Sequence, residues 1–245
     1  MAELLVLWDV DYTLVNAGGL GTRLYEDVFR EMFGRELPAV APKAGRTDRA
    51  ITLDTLSLAG VDQPQGRVDD FLAVLARRVA VIDGAATARV RAQPGAQAAV
   101  AALAGAGLRQ SVLTGNIRPL AALKLGAAGL GEHLDLDIGA YGDVHEVRAE
   151  LVPVARQAAA RAYGADFSGQ STVLVGDTPL DVAAALATGA RAVGIATGSF
   201  SAAEVAAAGA HAVLSDLTDA ALLLAAVTGA FTGLAEEANR ARSPR

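Results

Sequence analysis

Two carboxylates stand one residue apart in Asp9-Val10-Asp11-Tyr12-Thr13, directly after the apolar run Leu4-Leu5-Val6-Leu7-Trp8. A short, continuous apolar run reads as a strand covered on both faces. The acids then emerge at its C-terminal end, where open α/β sheets bind ligands. Neighbouring anions raise one another's pKa unless a cation or hydrogen bonds compensate. The plain alternative is a solvated turn with an Asx cap on the next helix. The chemical one is a nucleophile, an acid/base and a metal ligand in a single loop.

Three further expected strands end in polar groups. Ser111-Val112-Leu113 leads to Thr114-Gly115-Asn116, Thr172-Val173-Leu174-Val175 to Gly176-Asp177-Thr178-Pro179-Leu180-Asp181, and Val193-Gly194-Ile195 to Ala196-Thr197-Gly198-Ser199. On a parallel sheet all these ends share one edge, so Asp9, Asp11, Asp177 and Asp181 would converge. Two unit charges about 4 Å apart cost about 4 kcal/mol at an effective dielectric of about 20, so the cluster calls for a cation. Oxygen donors in a chain without Cys select Mg2+, which takes a few carboxylates, waters and a substrate phosphate. With that charge balanced, Asp9 could attack phosphorus. Asp11 would protonate the leaving oxygen and then deprotonate a water. The Thr114 hydroxyl and nearby backbone N–H groups, Gly115 among them, would hold the phosphoryl oxygens.

The elements that must position these groups alternate. Strands are expected at 4–8, 110–113, 172–175, 192–195 and 212–214, with a weaker one at 138–140. Ala-rich helices are expected at 97–106, 119–128, 151–163, 181–188 and 202–208. This alternation predicts a Rossmann-like, doubly wound α/β fold with a parallel sheet and helices on both faces. Residues 17–89 break the rhythm: helices at 20–33, 49–59 and 69–81 surround no confident strand. The reading is a core domain of residues 1–16 and 90–235, a small helical domain of 17–89 inserted after the first strand, and a flexible tail of 236–245.

Asp-x-Asp-x-Thr after the first strand, Thr-Gly-Asn after the next core strand and Gly-Asp-x-x-x-Asp late in the chain resemble the motifs of the haloacid dehalogenase superfamily, in order and in strand context. The likeness runs from about residue 4 to 224. It is strongest to phosphoglycolate-phosphatase-like and β-phosphoglucomutase-like members, which carry a helical cap where 17–89 lies. The resemblance implies Asp9 as nucleophile, Asp11 as acid/base, Thr114 as phosphate ligand and Asp177 as Mg2+ ligand, with Asp181 supporting the metal site and the Asp11 backbone carbonyl also on the metal.

One motif departs from the pattern. Members usually place a Lys at the start of the helix before the last motif, beside the nucleophile. Here that segment reads Gly142-Asp143-Val144-His145-Glu146-Val147-Arg148, and the chain's two lysines are Lys43 and Lys124. Arg148 and Lys124 are the candidate substitutes, and one of them should point inward. Their plain readings are a surface ion pair for Arg148 and a solvated helix face for Lys124.

Arg46 and Thr47, in the turn before the second helix of the insert, are candidate substrate contacts; the alternative is a helix start capped by Thr47. Asn116 could hold the phosphate loop or cap the helix that follows it. Gly18-Gly19-Leu20-Gly21 lacks a P-loop ending and fits a hinge.

The bulk of the sequence narrows the function further. Its 245 residues suffice for a core with an accessory unit. A net charge of −6 without a basic cluster argues against nucleic acid as partner. No apolar run reaches the roughly 18 residues that cross a bilayer, and no secretory leader is visible, so a cytoplasmic location is expected. The expected activity is Mg2+-dependent hydrolysis of a small phosphorylated metabolite through an aspartyl-phosphate. A sugar phosphomutase or a dehalogenase would use the same nucleophile, though a dehalogenase needs neither Asp11 nor metal. A receiver-like phosphoryl-binding module is the non-enzymatic alternative. Oligomeric state is not legible from the sequence.

Overall fold

The computed structural model describes residues 3–230; the expected tail at 236–245 lies outside them. The chain begins with β1 (Leu5–Trp8) and the two-residue β2 (Val15–Asn16), then α1 (Leu20–Phe33), α2 (Asp48–Leu58), α3 (Val68–Ala80) and the single turn α4 (Gly84–Thr87). β3 (Arg91–Ala92) and α5 (Ala96–Gly105) follow, then β4 (Arg109–Val112), α6 (Arg118–Ala127) and α7 (Leu151–Tyr163). The chain continues through β5 (Thr172–Gly176), α8 (Pro179–Ala187), β6 (Arg191–Ile195), α9 (Ala202–Ala207), β7 (Ala212–Leu214) and α10 (Ala220–Thr228).

Five strands form one parallel sheet in the order β4-β1-β5-β6-β7. This is the expected doubly wound α/β architecture, and β1 explains it in miniature. All four of its residues are buried, yet they alternate between two cores. Val6 and Trp8 join the cluster that holds α5, α6 and α10, whereas Leu5 and Leu7 join that of α7, α8 and α9. A strand covered by helices on both sides needs apolar residues at every position. The Trp8 indole N–H finds its partner in Gln110 Oε1, 3.0 Å away on the neighbouring strand.

Register decides which residues meet at the rim. Trp8 is level with Val112 on one side and Val175 on the other, and Val175 with Val193. Asp9, Thr114 and Asp177 therefore leave the sheet side by side. The weak strand expected at 138–140 is reduced to one parallel bridge, Leu113 to Ala140; the chain also meets β4 at Asp135, whose N–H donates to Gln110 O at 2.9 Å, without a ladder between the two points.

Between β2 and β3 the described chain is helical. α1 and α3 pack through Tyr25, Val28, Phe29, Phe71 and Leu75, with Leu56 from α2. β2 and β3 pair antiparallel, Val15 to Ala92 and Asn16 to Arg91, so the chain leaves and re-enters the sheet region along adjacent paths. The sequence gives no sign of this pair, since two residues are too few for a period-2 pattern. No helix among the described residues is long and apolar enough to cross a membrane.

Candidate active site

The loop after β1 is tightly held. Tyr12 adopts φ 64°, a left-handed conformation uncommon for a residue with a side chain. Its carbonyl accepts hydrogen bonds from Gln93 Nε2 at 2.8 Å and Thr197 Oγ1 at 2.6 Å. Its own N–H reaches Val15 O at 2.7 Å. The turn directs the Asp9 and Asp11 carboxylates into a cavity of about 290 Å³, which Thr114, Gly115, Asn116, Lys124, Arg148 and Asp177 also line.

Two cations divide the acids between them. The Arg148 guanidinium, at the end of the loop before α7, bonds Asp9 Oδ1 and Asp181 Oδ1, each at 2.6 Å, and the Leu113 carbonyl at 3.0 Å. Burial lowers its pKa, but Asp181 and Asp9 outweigh this and raise it. Lys124, on α6, is 3 % exposed and bonds both oxygens of Asp11, at 2.6 and 2.8 Å, and Asn116 Oδ1 at 2.6 Å. The sequence leads one to expect one inward cation; the fold delivers both. Neither plain reading survives, because the site's negative charge draws each side chain in.

Asn116 does not cap α6, whose cap position is Ile117. Its amide instead donates to Asp11 Oδ2 and to Thr114 Oγ1, both at 2.8 Å. The Thr114 oxygen also accepts from the Asn116 N–H at 3.3 Å, which leaves the hydroxyl proton free to point into the cavity.

Asp9, Asp177 and Asp181 each offer a carboxylate oxygen, all within 4.8 Å of one another. Burial and the like charges of Asp181 and Asp11 push Asp9 up to about 7 against the pull of Arg148. Burial with Asp9 and Asp181 pushes Asp177 up to about 8. Three buried hard oxygen donors gathered at one point fit a divalent cation such as Mg2+. Their bonding ranks the donors. Asp181 is committed through Oδ1 to Arg148 and through Oδ2 to the Thr178 N–H and hydroxyl, as half of a capping box at the start of α8. The second oxygens of Asp9 and Asp177 carry no protein hydrogen bond among the described residues.

The expected meeting of four acids needs correction. The Asp11 carboxylate stands apart from that trio, because Lys124 holds it. Burial raises its pKa, but Lys124 and Asn116 overcome this and lower it.

Thr47 is corrected too. It is fully buried, accepts from the Ala50 N–H at 3.2 Å as the cap of α2, and donates to Glu146 O at 3.0 Å. It does not line the cavity. Arg46 lines it, but the guanidinium turns to Asp54, 2.6 Å away, and to the Pro42 carbonyl.

Several residues that pattern reading passes over also line the cavity: Tyr25, Lys43 and Asp48. Lys43 bonds the Thr22 hydroxyl. Asp48 is 6 % exposed and is raised to about 6 by burial, against the Ile117 N–H, Lys124 and Tyr25. Glycine at 115 lets two segments touch there: a Cβ at Gly115 would overlap the Arg46 carbonyl. The Gly45-Arg46-Thr47-Asp48 turn carries the only local sign of this group in the sequence.

The haloacid dehalogenase-like hydrolase family model matches residues 6–186. No curated protein matches the chain. Among solved structures, a predicted phosphatase from Clostridium acetobutylicum superposes with a TM-score of 0.66 at 16% identity, covering 91% of this chain and 99% of that one. A hydrolase from Pseudomonas syringae gives 0.62 at 19% identity, over 91% and 97%. A candidate β-phosphoglucomutase from Bacteroides vulgatus gives 0.62 at 15% identity, over 95% and 91%. At such identities these likenesses speak for the fold alone. The family match spans β1 to α8 and with it every acid of the site, so the chain is an enzyme of the haloacid dehalogenase-like hydrolase family and not a receiver-like module.

Proposed function

We propose that this hydrolase is a Mg2+-dependent phosphatase that cleaves a small phosphorylated metabolite through an aspartyl-phosphate on Asp9. The observation that carries the reading is a division of labour inside one cavity. Arg148 sits on Asp9 and Lys124 on Asp11, while an oxygen trio suited to a divalent ion lies beside them.

Asp9 attacks phosphorus, and the ester oxygen departs as the bond from Asp9 forms. Arg148 keeps the Asp9 carboxylate oriented and offsets charge on it. The Thr114 hydroxyl and the Gly115 N–H donate to the phosphoryl oxygens. A proton taken up from solvent passes through Asp11 to the leaving oxygen, and Asp11, ionised again, then takes a proton from the water that opens the acyl phosphate. Lys124 and Asn116 fix its direction and favour its ionised, water-activating form. Asp9, Asp177 and the Asp11 carbonyl would hold Mg2+, with Asp181 in support; the ion would neutralise the acids and the phosphate. Residues 17–89 would act as a cap domain over the core, with Arg46 at the substrate side. The cavity volume supports a small substrate.

A dehalogenase would have no use for Asp11 and its lysine. A phosphomutase would share every group named here and differ in returning the phosphoryl group to substrate. The deciding experiment is a phosphate-release assay over a metabolite panel with Mg2+, beside Asp9→Asn. The parent should release inorganic phosphate and the variant none. Equal rates would reject Asp9 as the nucleophile, and isomerised sugar phosphate without net release would favour the mutase.

A further inference from the structure

We infer that Asp48 is a positioning residue that makes the phosphate loop of the core depend on the helical insert. The inference rests on the proposed phosphatase reading for what the loop binds, and on geometry alone for how the loop is held.

Asp48 opens α2, the second helix of the insert. Its N–H donates to Gly115 O at 2.6 Å. Its Oδ2 accepts from the Ile117 N–H at 2.8 Å. One residue thus grips the peptide groups on both sides of Asn116, the side chain that reaches Thr114 and Asp11. The other carboxylate oxygen accepts from the Tyr25 hydroxyl at 3.0 Å, and Tyr25 also meets Thr52, so the grip is anchored in α1 and α2 together. Neighbouring contacts reinforce it. The Arg49 N–H donates to Gly142 O at 2.9 Å, Arg49 Nε to Asp143 O at 3.0 Å, and Thr47 Oγ1 to Glu146 O. A Cβ at Gly142 would overlap the Gly115 carbonyl and crowd the Asp48 N–H, so three segments meet there without room for a side chain.

Thr114-Gly115-Asn116 has little regular structure of its own to fix it. Removing the Asp48 carboxylate frees the Ile117 N–H and lets Asn116 and Thr114 shift, and small displacements of positioned groups cost up to about 10²-fold in rate. The insert is accordingly a working part of the phosphate site as well as its cover.

The test compares Asp48→Ala, Asp48→Asn and Val79→Ala with the parent. Val79 is buried in the insert and is not among the residues lining the cavity, so its variant reports a general weakening of the insert. Three readouts are taken below the melting transition: kcat/KM for phosphate release, inhibition by inorganic phosphate, and amide hydrogen exchange at 114–117. Asp48→Ala should lower kcat/KM and weaken phosphate inhibition by tenfold or more, with faster exchange at Ile117. Asp48→Asn keeps an acceptor and should recover most of each. Val79→Ala should leave phosphate inhibition within about twofold. Unchanged inhibition and exchange in Asp48→Ala would overturn the inference, as would an equal loss in Val79→Ala. If the parent releases no phosphate, the functional reading fails instead, and exchange at Ile117 still decides whether Asp48 holds the loop.

Discussion

Replacing Arg148 by Met tests the electrostatic account most directly. One guanidinium nitrogen contacts Asp9 and Asp181 at 2.6 Å each, and all three residues are under 10 % exposed. Met keeps the bulk and removes the charge. Two buried carboxylates then lose their partner, which costs about 3–5 kcal/mol for a broken buried pair. The deficit should depend on pH with a definite sign. Asp9 already lies above the usual carboxyl value with Arg148 present, and without it the value climbs further. A carboxyl raised in the folded state favours folding while protonated and loses that contribution as pH rises through the raised value. The metal-free variant should therefore fall further below the parent at pH 8 than at pH 5, as read from urea unfolding followed by circular dichroism. Phosphate release should drop by about 10²-fold. Arg148→Lys restores the charge and should recover part of both losses, since an ammonium on a shorter stem reaches fewer of the three oxygens. An Arg148→Met protein within about 1 kcal/mol of the parent at pH 8 would refute the reasoning, because it would mean that the acids need no fixed cation.

The other expectations are simpler to read. Asp11→Asn should lose some stability, since the buried Lys124 keeps only Asn116 as a partner, and about 10²–10⁴-fold in turnover, with Mg2+ binding largely kept, since the Asp11 carboxylate stands apart from the oxygen trio; loss of metal binding would put that carboxylate on the ion. EDTA should abolish activity reversibly, and Mg2+ at about 100 times its dissociation constant should stabilise the fold by about 2.7 kcal/mol; a melting temperature indifferent to Mg2+ would contradict the metal assignment. Asp48 rises from 3.8 to about 6, so the parent should lose about 3 kcal/mol relative to Asp48→Asn as pH climbs from about 4 past 6, a trend that calorimetry at several pH values would detect or deny.

The rim of the sheet was legible because its grammar is local. β1 and β5 are short apolar runs that stop at polar groups, β4 and β6 become apolar only toward their C-terminal ends before doing the same, and a parallel sheet brings such stops to one edge. Residues 20–33 and 151–163 coincide with α1 and α7, since each ends at a glycine in the left-handed conformation that terminates a helix. What escaped depends on partners far along the chain. The missing motif lysine put Lys124 forward as a candidate, but nothing on its helix tells that the side chain turns to Asp11. Arg148 lies 139 positions from Asp9, and only the missing lysine hinted at it. Asp48 looks like an ordinary acid in a first turn, favoured there by the helix dipole, and nothing local announces Ile117 or Tyr25. The β2–β3 pair was invisible because its signal is one of adjacency, not of pattern.

That short pair also bears on how such a molecule could be altered. Asn16 and Arg91 face each other across an antiparallel ladder, where opposed Cα atoms lie about 5 Å apart. Everything between them leaves and returns through one narrow doorway, so the sheet and its acids could host a different excursion of similar bridging length without re-threading a strand. The constraint on a transplant would come from elsewhere: the newcomer must bring its own acceptor for Ile117 and its own donor for Gly115. Recombination at this doorway could thus exchange the helical segment while leaving the acids of the sheet in place, provided the seam is resewn.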